Sequence, residues 1–178
     1  MKRLVVAVLL AAVASAALAD GLQVKSLTLE GRPVPTLADV ALRPPGQAQA
    51  RPQALATGQD LSSGTELTLP RGAGAVLASR HDNTVTLYPG TAFVVGVVAP
   101  NGESHQLAGG KAEFSVKRAL DFFNIGHSRF TAAVKGTVFV VEVQVEQQRI
   151  EFQVSEGAVG RAAHPPAGPG RRRQPRRR

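Results

Sequence analysis

The chain has no cysteine and no tryptophan, and only one methionine and one tyrosine in 178 residues. Without cysteine there can be no disulfide, no thiolate zinc cluster, no cysteine nucleophile and no lipid-bearing N-terminal cysteine. Helical periodicity is nearly missing from residues 20–160, and beyond residue 19 no apolar run is long enough to span a bilayer. The G-x-S-x-G elbow, the phosphate-binding loop and the dinucleotide fingerprint are absent as well. His81, His105, His127 and His164 are not spaced as a metal pair on a helix or a hairpin. These gaps leave no residue to nominate as catalytic, metal-ligating or cofactor-binding, so the expectation is a protein without a cofactor that is not an enzyme.

Acidic residues are also scarce, 13 against 21 Lys and Arg, for a formal net charge of +8. Such a balance suggests nucleic acid until its distribution is read. Lys2 and Arg3 lie at the N-terminus. Arg161, Arg171, Arg172, Arg173, Arg176, Arg177 and Arg178 crowd the last eighteen residues with no acid among them, and residues 20–160 are left at −1. The body is near neutral and the basicity belongs to two appendages.

The first appendage has three parts: Met1-Lys2-Arg3, an apolar run from Leu4 to Ala14, and small residues at Ala17 and Ala19 before Asp20. This is the pattern of a secretory signal peptide cut after Ala19. The alternative, an uncleaved anchor, has to work with fewer than the roughly 20 apolar residues a spanning helix needs. The expected location is therefore the periplasm or the medium. The second appendage, residues 161–178, is rich in Pro and Arg with no apolar residue able to hold a fold, and it reads as a disordered tail. Its Arg171, Arg172, Arg173, Arg176, Arg177 and Arg178 suit anionic lipid or cell-wall phosphates. No physiological nucleic acid is expected for an exported chain, although any polybasic run binds it in a test tube.

Between the appendages, 141 residues are room for one domain. Two-residue alternation recurs in Leu22–Leu29, in Val85 and Leu87, in Ala112, Phe114 and Val116, and in Ile150, Phe152 and Val154, with Val40–Leu42 as a further short strand. Thr91–Val98 and Val138–Val141 are apolar on both faces and call for cover on both sides. Turn signals stand at Tyr88-Pro89-Gly90, Asn101-Gly102, Ala108-Gly109-Gly110 and Glu156-Gly157, with Asn101-Gly102 expected as a two-residue hairpin turn. Residues 43–52, rich in Pro, Gln and Ala, read as a long surface loop. The expected fold is all-β: short antiparallel strands in a two-sheet sandwich or a flattened β-solenoid.

One stretch carries more than pattern. Ser128 to Val141 contains Phe130 and then Val134-Lys135-Gly136-Thr137-Val138-Phe139, and Glu156-Gly157-Ala158-Val159 follows. This resembles the signature of FecR-type periplasmic domains, a strand "V-[KR]-G-T-x-F-x-V" followed by an "E-G-x-V" element. Gly58–Gly64, Arg71–Leu77 and Leu107–Val116 are similar to weaker elements of the same family, so the resemblance spans roughly residues 55–160. Physically the motif reads as packing: Gly136 inside a strand marks a bulge or a close backbone approach, and Phe139, Val141, Val143 and Val145 share one face. Gly136→Leu is expected to cost about 2–3 kcal/mol through a clash, visible as a lowered thermal midpoint.

The resemblance implies a β-rich domain of the bacterial envelope used in signalling or in binding a partner. In the founding members a cytoplasmic segment restrains a sigma factor and a membrane helix follows it. Here the apolar segment begins at Leu4, so the expectation is a stand-alone exported binding module for an envelope protein or a glycan. The alternatives are an accessory of envelope signal transduction without its own cytoplasmic segment, and a small polysaccharide-acting enzyme. For the enzyme, Asp82 and Glu103 are the acids near turns that would have to face a cleft, and Tyr88, Phe122 and Phe123 are the aromatics a sugar or peptide would stack on.

Overall fold

In the computed structural model, residues 21–117, 120–127, 130–144 and 149–163 are described, and side chains at 130, 132–137 and 155–163 are placed only through their backbone. Ala17, Ala19 and the Arg171–Arg178 cluster lie outside the described residues.

Strands account for every regular element among the described residues. They are β1 (Gly21–Leu29), β2 (Arg32–Val34), β3 (Thr36–Arg43), β4 (Arg51–Ala56), β5 (Asp60–Ser62), β6 (Glu66–Thr68) and β7 (Ala73–Ala78). After these come β8 (Thr84–Leu87), β9 (Ala92–Ala99), β10 (Gly102–Ser115), β11 (Phe122–His127), β12 (Phe130–Gln144) and β13 (Arg149–Ala163). β13 thus continues past residue 160, where the sequence pattern had placed the end of the body. No helix among the described residues is long and apolar enough to cross a membrane.

The expected all-β class holds, and the strands form one continuous hydrogen-bonded sheet that coils until its two halves face each other. One half runs β2-β1-β7-β8 into β10, the other β4-β3-β6-β9 into β10. Strand β10 belongs to both. Its first part pairs antiparallel with β9 and parallel with β11, and its second part pairs with β8 and β12. Strands that pass from one layer to the other at a bend are how a sandwich closes its corners. The bend here is at Gly109–Gly110: Gly110 has φ +84°, and a Cβ on it would lie 2.7 Å from the Thr91 Cα. Ala108-Gly109-Gly110, expected as a turn, is therefore a fold within one strand, because the glycines let the ladder continue around a corner that a side chain would block.

Two more turn signals resolve differently from expectation. The β9–β10 hairpin pairs Ala99 with Gly102, so Pro100-Asn101 forms its turn and Gly102 opens β10. Gly102 is needed there because a Cβ would meet the Phe122 ring on β11. Glu156-Gly157 sits inside β13, where the chain does not turn. Opposite it, Lys135 pairs with Ala158 and Val138 with Glu156, so Gly136-Thr137 face Gly157 alone. That is the bulge expected at Gly136. It is compensated at once by a second slip between Val138 and Phe139, which restores the register along both long strands.

The core is a single cluster drawn from both halves. Leu22, Val24 and Leu27 of β1 and Leu77, Val85 and Leu87 of β7 and β8 meet Leu37, Val40, Leu42, Leu55, Leu67, Phe93 and Val95 of the other half. Four phenylalanines form its centre, with Phe114 stacked on Phe139 at 5.1 Å and Phe123 set edge-on to both. Phe139, Val141 and Val143 share the buried face as their alternation indicated, while Val145 lies outside the described residues. Full burial of a large apolar side chain contributes on the order of 1.5–3 kcal/mol. Cover on both faces of β9 is not found: Phe93, Val95 and Val98 are buried, but Val97 is 54% exposed, because the second half packs only on the inner face. On β13 the apolar alternation fades outward, with Ile150 and Phe152 packed against the core and Val154 42% exposed.

Candidate functional site

Among the described residues, two of the places that gather chemistry-bearing side chains bear on function. The first begins with the β7–β8 connection, Ser79 to Asn83. The Ser79 N–H donates to the Asn83 carbonyl at 2.9 Å and the Asp82 N–H to the Ser79 carbonyl at 3.2 Å. Asp82 takes φ +60° to close the loop, a position that Asp tolerates better than most residues. This loop leans on the β9–β10 hairpin: Arg80 donates to the Val98 carbonyl and His81 Nε2 to the Ala99 carbonyl, both at 2.8 Å.

Under the loop lies Glu103, 0% exposed. Its Oε1 accepts from Ser79 Oγ at 2.6 Å and from Asn83 Nδ2 at 2.9 Å, and its Oε2 accepts from His105 Nε2 at 3.2 Å. The other nitrogen of His105 accepts the Gly96 N–H at 3.2 Å, so the ring proton of the neutral imidazole sits on Nε2, toward the carboxylate. Gly96 can offer that N–H because β9 carries an extra residue opposite His105, where the ladder slips between Ser104 and Gln106. Phe93 and Phe123 lie on either side of the imidazole, with ring centroids 5.7 and 5.9 Å away. Asn83 Oδ1 accepts the Lys117 N–H at 2.9 Å, so Asn83 ties together both ends of the bent β10. Burial acts to raise the Glu103 carboxyl. The hydrogen bonds from His105, Ser79 and Asn83 overcome it and hold the group below the usual glutamate range.

The requirement that Glu103 face a cleft is therefore not met: it is buried, and Asp82 is exposed on the loop above it. With its oxygens occupied by scaffold donors, Glu103 acts as a clasp between the two halves of the sheet. Among the described residues, no three His, Cys, Asp or Glu side chains are close enough to hold a metal ion.

The second place is on the outer face of β1, β7 and β8. A groove of about 270 Å³ is lined by Ser26 and Thr28 of β1, Gly72, Gly74 and Val76 on and before β7, and Thr86, Tyr88 and Pro89 at the end of β8. Its floor at Gly72 and Gly74 is covered by the Glu30 and Thr28 side chains, which occupy the space a side chain there would take. A Cβ at Gly74 would stand 2.7 Å from Thr28 Oγ1, and Gly72, at φ +79°, backs onto the Glu30 carboxylate. The Tyr88 ring is fixed at the groove wall. The Lys111 ammonium lies over it at 5.1 Å, and its hydroxyl donates to Glu113 Oε2 at 3.3 Å. Burial, followed by the charge and hydrogen bond of Glu113, raises the phenol above its ordinary value, so it stays a donor across neutral pH. Of the three aromatics considered for stacking, Tyr88 and Phe122 are half-buried, whereas Phe123 belongs to the core.

The residues of the recognised motif are brought together on one pair of strands. Phe130 pairs with Ala163, Val134 with Val159, Lys135 with Ala158 and Val138 with Glu156, and Gly136, Thr137 and Gly157 form the bulge. Phe139, stacked in the core, joins them to the β10 layer. No sequence motif led to Ser79, Asn83 and His105 as partners of Glu103. The available signal was that Glu103, His105 and Leu107 alternate on one face that ends in an apolar residue.

In comparisons with known proteins, no curated protein and no solved structure matches the chain. The family model described as FecR protein matches residues 65–160, which is more than half of the sequence and covers β6 through most of β13. The Gly58–Gly64 segment falls outside that match. With the bulged β12–β13 pair and its Phe139 core inside the matched span, the chain belongs to the FecR protein family.

Proposed function

We propose that this FecR-family chain is an exported, non-enzymatic binding module of the bacterial periplasm or envelope, engaging a protein or glycan partner. The family ties it to envelope signal transduction. The observation that carries the binding reading is the state of the Glu103–His105 pair. Its polar atoms are taken up by the scaffold and it is closed to solvent, while Ser26, Thr28, Thr86 and Tyr88 line a shallow surface groove. A rigid β-scaffold that presents a surface is suited to recognition. The signal-peptide pattern of the sequence before Asp20 supports export, and the Arg171–Arg178 cluster supports contact with anionic lipid or cell wall as a second attachment.

Crosslinking in cells followed by co-purification, with the chain intact and with residues 161–178 removed, tests this. The expected result is one or more envelope partners common to both forms, with anionic membrane material lost on truncation. Recovery of no envelope component with either form would overturn the reading. The signalling alternative draws on the family membership alone. Its distinguishing result is altered transcription of an extracytoplasmic sigma regulon when the chain is deleted.

A further inference from the structure

We infer that β13 is a self-association edge, on which a second copy of this chain pairs its own β13 antiparallel about a two-fold axis at Phe152; the envelope partner proposed above is a separate interaction. A sheet edge presents a row of backbone donors and acceptors, and folded proteins keep such edges short or break them with proline. Among the described residues, three edge strands follow that rule. β2 and β5 are three residues long, β2 carries Pro33, and the six-residue β4 carries Pro52. β13 departs from it: this fifteen-residue strand contains no proline and, among the described residues, pairs with β12 alone.

The residues of β13 select both the partner and the register. Ile150, Phe152 and Val154 form its inner face at the margin of the core, where Ile150 and Phe152 pack against the cluster and Val154 is 42% exposed. A strand that extends the sheet must bring apolar residues to that face, and β13 itself does so. Directly opposed residues of an antiparallel pair point to the same side. With Phe152 opposite Phe152, Ile150 meets Val154 and Glu151 meets Gln153, so apolar residues face one another and no like charges are opposed. Centring the pair on Glu151 sets that carboxylate against its own copy. Centring it on Gln153 carries Ile150 onto Glu156, past the slip in the ladder at Ser155. Beyond that slip stand Gly157 and Gly160, which weaken strand pairing. A contact this short buries less than the roughly 1,200 Å² of stable interfaces, so the dimer is weak, with a dissociation constant on the order of 10 μM.

Sedimentation velocity of the chain from residue 20 onward, at about 1 to 500 μM, tests this. The expected result is a reversible monomer–dimer equilibrium. Gln153→Glu, at an exposed position, sets a carboxylate against Glu151 twice in each dimer and is expected to weaken it about fivefold, whereas Gln153→Lys strengthens it by a similar factor. Because the chain has no cysteine, the register can be read by crosslinking: Glu151→Cys and Gln153→Cys are expected to form a disulfide-linked dimer when mixed under oxidation, and far less of it alone. A monomer at every concentration overturns the interface, as does a dimer that neither charge variant shifts or that the mixed cysteines do not link. Removal of residues 164–178 is expected to leave the dimer unchanged. If that removal abolishes the dimer, the tail carries the contact; if the chain dimerises only after it, the tail occupies the edge. Either result overturns the proposal. Co-purification of an envelope partner by a monomeric chain would leave the binding-module reading standing while this interface falls.

Discussion

Glu103 and Glu113 lie on the same strand, and each accepts a hydrogen bond from a side chain flanking β8, Asn83 at one end and Tyr88 at the other. Their fates are opposite. Glu103 is sealed under the β7–β8 loop with His105, Ser79 and Asn83, and Glu113 sits on the outer face holding Tyr88 against a groove. The difference comes from one corner. Before Gly109–Gly110 the odd-numbered residues Glu103, His105 and Leu107 point inward, and after it the even-numbered Ala112, Phe114 and Val116 do. A one-residue slip sends every later side chain to the other face, so the bulge between Leu107 and Gly109 and the bend at Gly110 decide which glutamate is structural.

That comparison breaks most sharply at Glu103. Glu103→Leu leaves His105, Ser79 and Asn83 without their acceptor, and removing one partner of such a buried cluster typically costs about 3–5 kcal/mol. Urea or thermal unfolding should show that loss, and an unchanged midpoint would remove the clasp from the account. Next in size, Gly110→Ala puts a side chain at φ +84° and against the Thr91 backbone, with about 1–3 kcal/mol lost by the same measurement.

The pH dependence follows from the direction of the Glu103 shift. Its folded carboxyl lies below the usual range, so near pH 4 the unfolded chain binds more protons than the folded one, and stability rises with pH there. The contribution is fully present above the ordinary glutamate value of about 4.3 and is lost as pH falls toward and through the lower folded value. Thermal midpoints between about pH 3 and 6 should fall less steeply for Glu103→Gln than for the natural chain. Parallel curves would mean that other carboxylates govern acid unfolding.

The smallest effect belongs to the other side of the comparison. Tyr88→Phe removes a hydrogen bond at a half-buried site and is expected to cost about 0.5–1.5 kcal/mol while leaving the fold intact. A loss as large as that at Glu103 would erase the distinction between clasp and groove.

Much of the fold was legible because a strand's side chains have a period of two. Leu22 and Val24, Val85 and Leu87, Phe114 and Phe139 lie on the faces their spacing indicated, and Gly136 marked a real bulge, whereas a bulge between Val24 and Ser26 shifts the phase of β1 and leaves Leu29 43% exposed. Glycine was harder to read, since the same residue ends a strand, bends one or makes room for a neighbour. Gly90 takes its positive φ in a turn, Gly110 bends β10, and Gly102 clears space for Phe122. The candidate sites were the least legible part. Glu103 meets Ser79 and Asn83 across 24 and 20 residues of chain, and those spacings carry no periodic signal. Tyr88 stood out as the lone tyrosine, but the Gly72–Gly74 floor beside it exists only once β1, β7 and β8 are aligned.

By itself the sequence determined the all-β class, the neutral body between two basic ends and the FecR signature, because alternation, charge and a local motif are all written in neighbouring residues. The tertiary structure alone decided that β10 serves both halves, that Glu103 is buried and Glu113 is not, and that a groove opens beside Tyr88. Each of these depends on the register between strands distant in sequence, and a single bulge or a single positive φ reverses it.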